Sequence, residues 1–250
     1  MQSDVTFRCD DGFSMPGVLT NPDGEPEAAR PGLLLIYEAF GMNEEMAEVA
    51  RDLAGEGWTV LIPDLFARGA KPLCVARCLR TVATGHGPAL DDLDAARRYL
   101  SELPGVDAER IGVIGFCMGG GFALLLAMTG QYQASAPFYG MAPKTMPRSC
   151  PVVASYGGKD LALKPMPARL ERNLTELGVP HDVKVYPEVG HSFYTKPVNR
   201  VMELVGPYTP LRLGYHEPSA KDARERVVAF FRQHLDGRPA DDQPADDQQS

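Results

Sequence analysis

Ile111-Gly112-Val113-Ile114-Gly115-Phe116-Cys117-Met118-Gly119-Gly120-Gly121-Phe122-Ala123-Leu124 joins an apolar run to a glycine-rich apolar stretch through a cysteine with a glycine two positions to either side. The run predicts a buried strand at Ile111 to Ile114, and the stretch predicts a helix from Met118 to Thr129. Glycines at those two positions relieve the crowding of a sharp strand-to-helix turn and lift the central side chain above the sheet. Cys117 thus stands on an elbow, at a helix start whose dipole and unpaired N–H groups favour an anionic sulfur. The competing reading is an inert buried thiol, with the glycines serving only to pack helix against strand.

Upstream, Val5 to Cys9 and Met15 to Thr20 flank the turn Asp10-Asp11-Gly12 and predict an antiparallel hairpin. The polar stretch from Asn21 to Pro31 reads as a loop, and Gly32 to Tyr37 as a strand buried on both faces. A helix at Glu44 to Gly55, a strand at Trp58 to Ile62 and a helix at Ala89 to Leu103 lead to the elbow. Downstream come strands at Ala134 to Tyr139, Val152 to Tyr156 and Asp182 to Tyr186, with helices at Met166 to Leu177 and Ala220 to His234. Strands alternating with helices require crossovers, so the fold class is α/β, a doubly wound and mainly parallel sheet with helices on both faces.

Two segments interrupt the alternation. Ala67 to Pro88 is expected to cap the top of the sheet, and Thr195 to Pro218, with four prolines, is longer than an ordinary connection. Both are candidate borders of a pocket. The tail from Asp236 repeats Pro-Ala-Asp-Asp-Gln at 239–243 and 244–248 and is expected to be disordered, because it has little to bury. Residues 1–235 are therefore expected to form one domain.

The 250 residues carry a net charge of -8, which argues against nucleic-acid or anionic-membrane partners, since both require a dense basic surface. No apolar run approaches the roughly 18 residues of a membrane span, and the N-terminus lacks a leader pattern. Five cysteines without a framework spacing fit a reducing compartment. The expectation is a cytoplasmic monomer or homodimer acting on a small molecule. Neither a dinucleotide fingerprint nor a phosphate loop is present, since Gly157-Gly158-Lys159-Asp160 has the wrong spacing, and no metal motif occurs. No cofactor and no metal are expected.

A cysteine nucleophile needs a base, and the base needs an orienting acid, both on loops after later strands. Asp160 follows the strand at Val152 to Tyr156, and His191 follows the strand at Asp182 to Tyr186. In these positions His191 takes the thiol proton and later activates water, while Asp160 fixes its tautomer. The plain alternatives are a solvated loop carboxylate and a structural loop histidine. His86, His181, His216 and His234 sit in the cap, a strand start, the long loop and a helix end, and read as surface residues.

With these residues placed, the stretches 36–43 (Ile36-Tyr37-Glu38-Ala39-Phe40-Gly41-Met42-Asn43), 63–68, 115–120 and 190–193 make the chain from about residue 4 to 235 resemble the dienelactone hydrolase family, the carboxymethylenebutenolidases of the α/β-hydrolase superfamily. The resemblance implies a Cys117–His191–Asp160 triad, with Glu38 pairing with the resting thiol and an oxyanion hole at the backbone N–H groups of Met118 and Ala39. It implies hydrolysis of an enol lactone or activated ester through an acyl-thioester, with a general carboxylesterase or thioesterase of the same fold as the alternative. A non-catalytic sensor with a reactive cysteine is the reading from another class. Read physically, a buried Glu38 needs a proton or a cation, and Arg68 is the nearest candidate for a structural pair. Arg68, Arg77, Arg80, Phe40, Tyr139 and Phe193 are candidate substrate contacts. Family members acting on dienelactone carry an arginine two residues after His-Ser-Phe; this chain has Thr195.

Overall fold

The computed structural model describes residues 1–24, 28–197 and 199–237. In chain order its elements are β1 (Gln2–Arg8), β2 (Ser14–Thr20), β3 (Arg30–Ile36), α1 (Glu44–Gly55), β4 (Thr59–Pro63), α2 (Lys71–Thr84), α3 (Pro88–Ser101) and β5 (Val106–Phe116). These are followed by α4 (Met118–Ala127), β6 (Ala134–Phe138), β7 (Val152–Gly157), α5 (Met166–Leu177), β8 (His181–Tyr186), α6 (Arg200–Val205) and α7 (Glu217–Phe231). The eight strands form one sheet in the order β1-β2-β4-β3-β5-β6-β7-β8. β2 runs antiparallel to both β1 and β4, and every other pairing is parallel. Helices cover both faces, as in the α/β-hydrolase fold.

The central strands have no polar face because both faces are covered. Leu33, Leu34, Leu35, Val60, Leu61, Val113 and Ile114 are all fully buried. Helix boundaries follow local chemistry. The Asn43 side chain accepts from Met46 N at 3.0 Å to cap α1, and Gly178 closes α5 at φ 65°, a left-handed conformation that costs glycine little. The chain leaves β3 toward β4 on one side and returns to β5 on the other. The C-terminal ends of β3 and β5 thus form the crevice in which open α/β sheets place their ligands.

Ala67 to Pro88 differs from the expected cap: most of it is α2. Cys74, Cys78, Thr81 and Val82 form its buried face, and Val82 packs directly against Gly121 of α4. The signals are ordinary ones, Pro72 in the first turn and Gly85 at φ 76° after the last, with buried residues at helical spacing between them. β5 is also longer than the apolar run suggested, because its polar start at Val106 and Asp107 pairs with Arg30 and Pro31 before a register shift. Thr195 to Pro218 contains α6 and a short 3₁₀ turn, and α6 buries none of its own residues. The expected disordered tail lies, from residue 238 on, outside the described residues. Asp236 itself ends a π turn and accepts a hydrogen bond from Trp58 Nε1 at 3.1 Å.

Candidate active site

β5 delivers Cys117 at φ 55° and ψ -111°, a conformation that L residues rarely adopt. The neighbouring glycines are there for space. A Cβ on Gly115 would lie 2.1 Å from Gly119 O, one on Gly119 2.0 Å from Ile36 O, and one on Gly120 2.4 Å from Phe138 O. The elbow is therefore wedged between the ends of β3 and β6, and Cys117 N donates to Phe138 O at 3.0 Å. Cys117 is half-buried, whereas Cys9, Cys74, Cys78 and Cys150 are buried.

The loop after β8 carries His191 and the loop after β7 carries Asp160, and both side chains are buried. His191 Nδ1 lies 2.6 Å from Asp160 Oδ2. A carboxylate only accepts, so Nδ1 carries the hydrogen and Nε2 is the nitrogen left for chemistry. The other oxygen of Asp160 accepts from Ala162 N at 3.0 Å and Leu163 N at 3.2 Å, which holds the carboxylate in place. Nε2 is buried and makes no regular hydrogen bond, yet it is close enough to Cys117 for the sulfur to act on its charge. Burial pushes the imidazole down, but Asp160 and Cys117 outweigh it and raise His191 to about 10.

The long segment after β8 holds the histidine. His191 N donates to Leu211 O at 2.8 Å, Gly214 N to His191 O at 3.3 Å and His216 N to Phe193 O at 2.9 Å. Arg212, at φ 52°, crosses Gly190 so closely that a Cβ there would meet Arg212 O at 2.1 Å. This stretch is a strap pinned along the histidine loop.

Glu38 follows β3, is buried, and presents one oxygen to three hydroxyls. Oε1 accepts from Tyr139 at 3.0 Å, Thr195 at 3.0 Å and Ser192 at 3.2 Å. Burial raises the Glu38 carboxyl above its ordinary value; the Thr195 hydrogen bond, the charge on His191 and the other two hydroxyls work against it. The family resemblance implies a pairing with the resting thiol. Among the described residues no hydrogen bond joins Glu38 to Cys117, and the three hydroxyls share the single oxygen Oε1. Two of the donors, Tyr139 at φ 38° and Ser192 at φ 54°, share with Cys117 the strained left-handed region, so three of the four such non-glycine residues among the described residues gather here. Tyr139, Ser192 and Thr195 went unpredicted as holders of Glu38, since nothing local in the sequence links their two loops to one carboxyl.

Several candidate substrate contacts are elsewhere. Arg68 does not pair with Glu38; it makes a bidentate pair with buried Asp92, at 2.6 and 2.8 Å, and a second with Asp11 at 2.7 Å. Arg77 and Arg80 are exposed along α2. Phe193 is fully buried among Phe138, Tyr139 and Tyr186, and the Tyr139 ring packs 4.7 Å from the His191 ring, so both serve as floor. Of the three aromatic candidates, Phe40 borders a small recess of about 20 Å³ that it shares with Glu38, Thr195, Lys196, Met202 and Leu213. Met118 N–H belongs to the first turn of α4, where amides lack intrahelical partners, and Ala39 sits in the turn after β3. Among the described residues no cluster of three or more ligating side chains has metal-binding geometry, and no helix is long and apolar enough to cross a membrane.

The family model of the dienelactone hydrolase family matches residues 15–235. A Salmonella typhimurium protein named as a carboxymethylenebutenolidase is 29% identical over 251 residues, covering 92% of this chain and 87% of its own length. A Yersinia pestis protein of the same name is 28% identical, covering 89% and 85%. The crystal structure of a Klebsiella pneumoniae protein described as a dienelactone hydrolase superposes with a TM-score of 0.71 at 25% identity, covering 93% of this chain and 99% of that one. The elbow, the crevice and these likenesses agree: the chain belongs to the dienelactone hydrolase family of the α/β-hydrolase superfamily and is a carboxylic ester hydrolase.

Proposed function

We propose that this chain hydrolyses an enol lactone or comparably activated ester through a Cys117–His191–Asp160 triad and an acyl-thioester. The observation that carries the reading is the buried, unpartnered His191 Nε2 beside a half-buried cysteine on a strained turn, with Asp160 on the opposite nitrogen. With Asp160 and Cys117 raising its imidazole, His191 takes the proton of the thiol as the Cys117 sulfur attacks the carbonyl. The Sγ–C bond forms as the carbonyl π pair moves onto oxygen, where the N–H groups of Met118 and Ala39 are the candidate donors. Collapse of that oxyanion breaks the ring C–O bond, and the His191 proton goes to the departing enol oxygen. Neutral His191 then takes a proton from water as it attacks the thioester. Expulsion of the sulfur releases the acid, and the proton held by His191 is again shared with Cys117 for the next turnover. An enolate is a good leaving group, which suits a thiol nucleophile better than an unactivated alkyl ester does.

Hydrolysis of dienelactone and p-nitrophenyl acetate by wild type and Cys117→Ala tests the reading. A loss of about 10⁴-fold or more in kcat/KM is expected on removal of the nucleophile. Equal rates in the two proteins sink the proposal.

A further inference from the structure

We infer that Thr195 is a positioning residue for the triad. Together with Tyr139 and Ser192 it holds Glu38 as a carboxylate beside His191, a second anion after Asp160 for the imidazolium that forms as the thiol gives up its proton. The inference rests on the thiol-hydrolase reading and adds a residue to it. Three hydroxyls converge on Glu38 Oε1, those of Tyr139 and Thr195 at 3.0 Å and that of Ser192 at 3.2 Å. Three donors on one oxygen suit an ionised carboxyl, since a protonated one would have to turn a hydroxyl round to accept. Two of these donors lead straight to the imidazole. Ser192 is the next residue in the chain, and the Tyr139 ring lies 4.7 Å from the His191 ring. Thr195 is buried, and its oxygen lies 3.5 Å from that of Tyr139, so it closes the set.

A buried carboxylate persists only where donors or a cation offset the water it has lost. Burial pushes Glu38 above its ordinary value. The Thr195 hydroxyl is the strongest of the groups that pull it back, followed by the charge on His191 and the hydroxyls of Tyr139 and Ser192. The coupling is reciprocal: an imidazolium that favours the carboxylate is favoured by it to the same extent. The other titratable and charged groups nearby are Asp160 and Cys117 of the triad, Lys71, which donates to Phe40 O and keeps its charge, and Lys196. The Lys196 ammonium turns toward Glu48, 3.8 Å away, and its backbone N–H donates to Glu45 at 3.0 Å. Loss of the Thr195 hydroxyl alters none of them, so a variant at this position reports on the carboxyl.

The test is the pH dependence of kcat and KM on the faster of the two substrates above, in the full chain and in Thr195→Val, Thr195→Ser and Tyr139→Phe, with Cys117→Ala as the baseline. Thr195→Val keeps the shape and removes the donor, so Glu38 ionises at a higher pH. The acid limb of the profile is expected to move up by about one pH unit, and kcat near pH 6 to fall about 10-fold with KM close to wild type. Thr195→Ser is expected to restore both. Tyr139→Phe keeps its ring and deletes another donor, and is expected to move the limb in the same direction. An acid limb left in place by both Thr195→Val and Tyr139→Phe, with only Tm or the yield of active enzyme reduced, overturns the inference and leaves the thiol-hydrolase reading intact. A wild-type rate no higher than that of Cys117→Ala at every pH overturns that reading, and the inference with it.

Discussion

Two cysteine-bearing clusters lie at the upper edge of the same sheet, and they are built from similar residue types to opposite effect. In the first, Cys9 and Cys78 flank the Arg68–Asp92 pair; Arg68 also reaches Asp11 and stacks 4.3 Å over the Phe13 ring. Every charge there has a partner, and burial, with help from neighbouring anionic groups, pushes the thiols up to about 11 for Cys9 and about 12 for Cys78. In the second, Cys117 is half-buried on a strained turn, and the nitrogen of His191 that faces it is buried without a regular partner. Polar groups that are fully satisfied hold a structure together; a buried donor left unsatisfied is a place where a reacting atom can enter.

The largest way to break this contrast is Asp160→Asn. It keeps the shape but frees the wrong tautomer, so kcat is expected to fall by about 10² to 10⁴ with little change in thermal stability, read by steady-state kinetics beside a melting curve. Arg68→Ala should do the reverse. Removing one partner of a mostly buried pair strands Asp92 and is expected to cost about 3 kcal/mol in denaturant unfolding, while kcat/KM of the remaining folded enzyme stays near wild type. A large fall in kcat/KM for the folded Arg68→Ala protein would return Arg68 to the substrate site.

Smaller effects sharpen the same comparison. Iodoacetamide near pH 8 should label Cys117 first, with Cys9, Cys74, Cys78 and Cys150 protected until the protein unfolds; labelling of Cys78 at a similar rate would erase the distinction. The least effect concerns pH. His191 sits at about 10 in the folded protein, above the ordinary value of roughly 6.5, so the stability it adds is complete below about 6.5 and is lost as pH rises through about 10. Tm should decline across that window, and less so in Cys117→Ala, where one of the two groups raising the imidazole is gone. Identical slopes in the two proteins would show that the sulfur does not act on His191.

Much of this was legible before any coordinates. The boundaries of α1 and α5 match the expected helices residue for residue, because capping side chains, proline and glycine act within one turn of chain. α2 was equally legible from Pro72, Gly85 and the spacing of Cys74, Cys78 and Val82, but the many surface residues between them hid it. His191 and Asp160, two of the residues expected on loops after the elbow, lie in hydrogen-bond contact. Chain order and loop position were sufficient for that, since the C-terminal ends of parallel strands share one edge.

The partners of the charged side chains followed a different logic. Arg68 was within reach of several acids by sequence, and packing assigned it to Asp92 and Asp11. Glu38 receives on one oxygen three hydroxyls from the end of β6 and the histidine loop, partners that nothing near it in the chain announces. Periodicity, caps and glycines are local terms that the chain carries along its length, so the sequence by itself determined the sheet, the elbow and the order of Cys117, Asp160 and His191. Hydrogen bonds and ion pairs between loops many residues apart depend on distances that exist only after the sheet has closed. Tertiary structure alone therefore decided which charges are satisfied, and it left His191 Nε2 without a partner beside the sulfur.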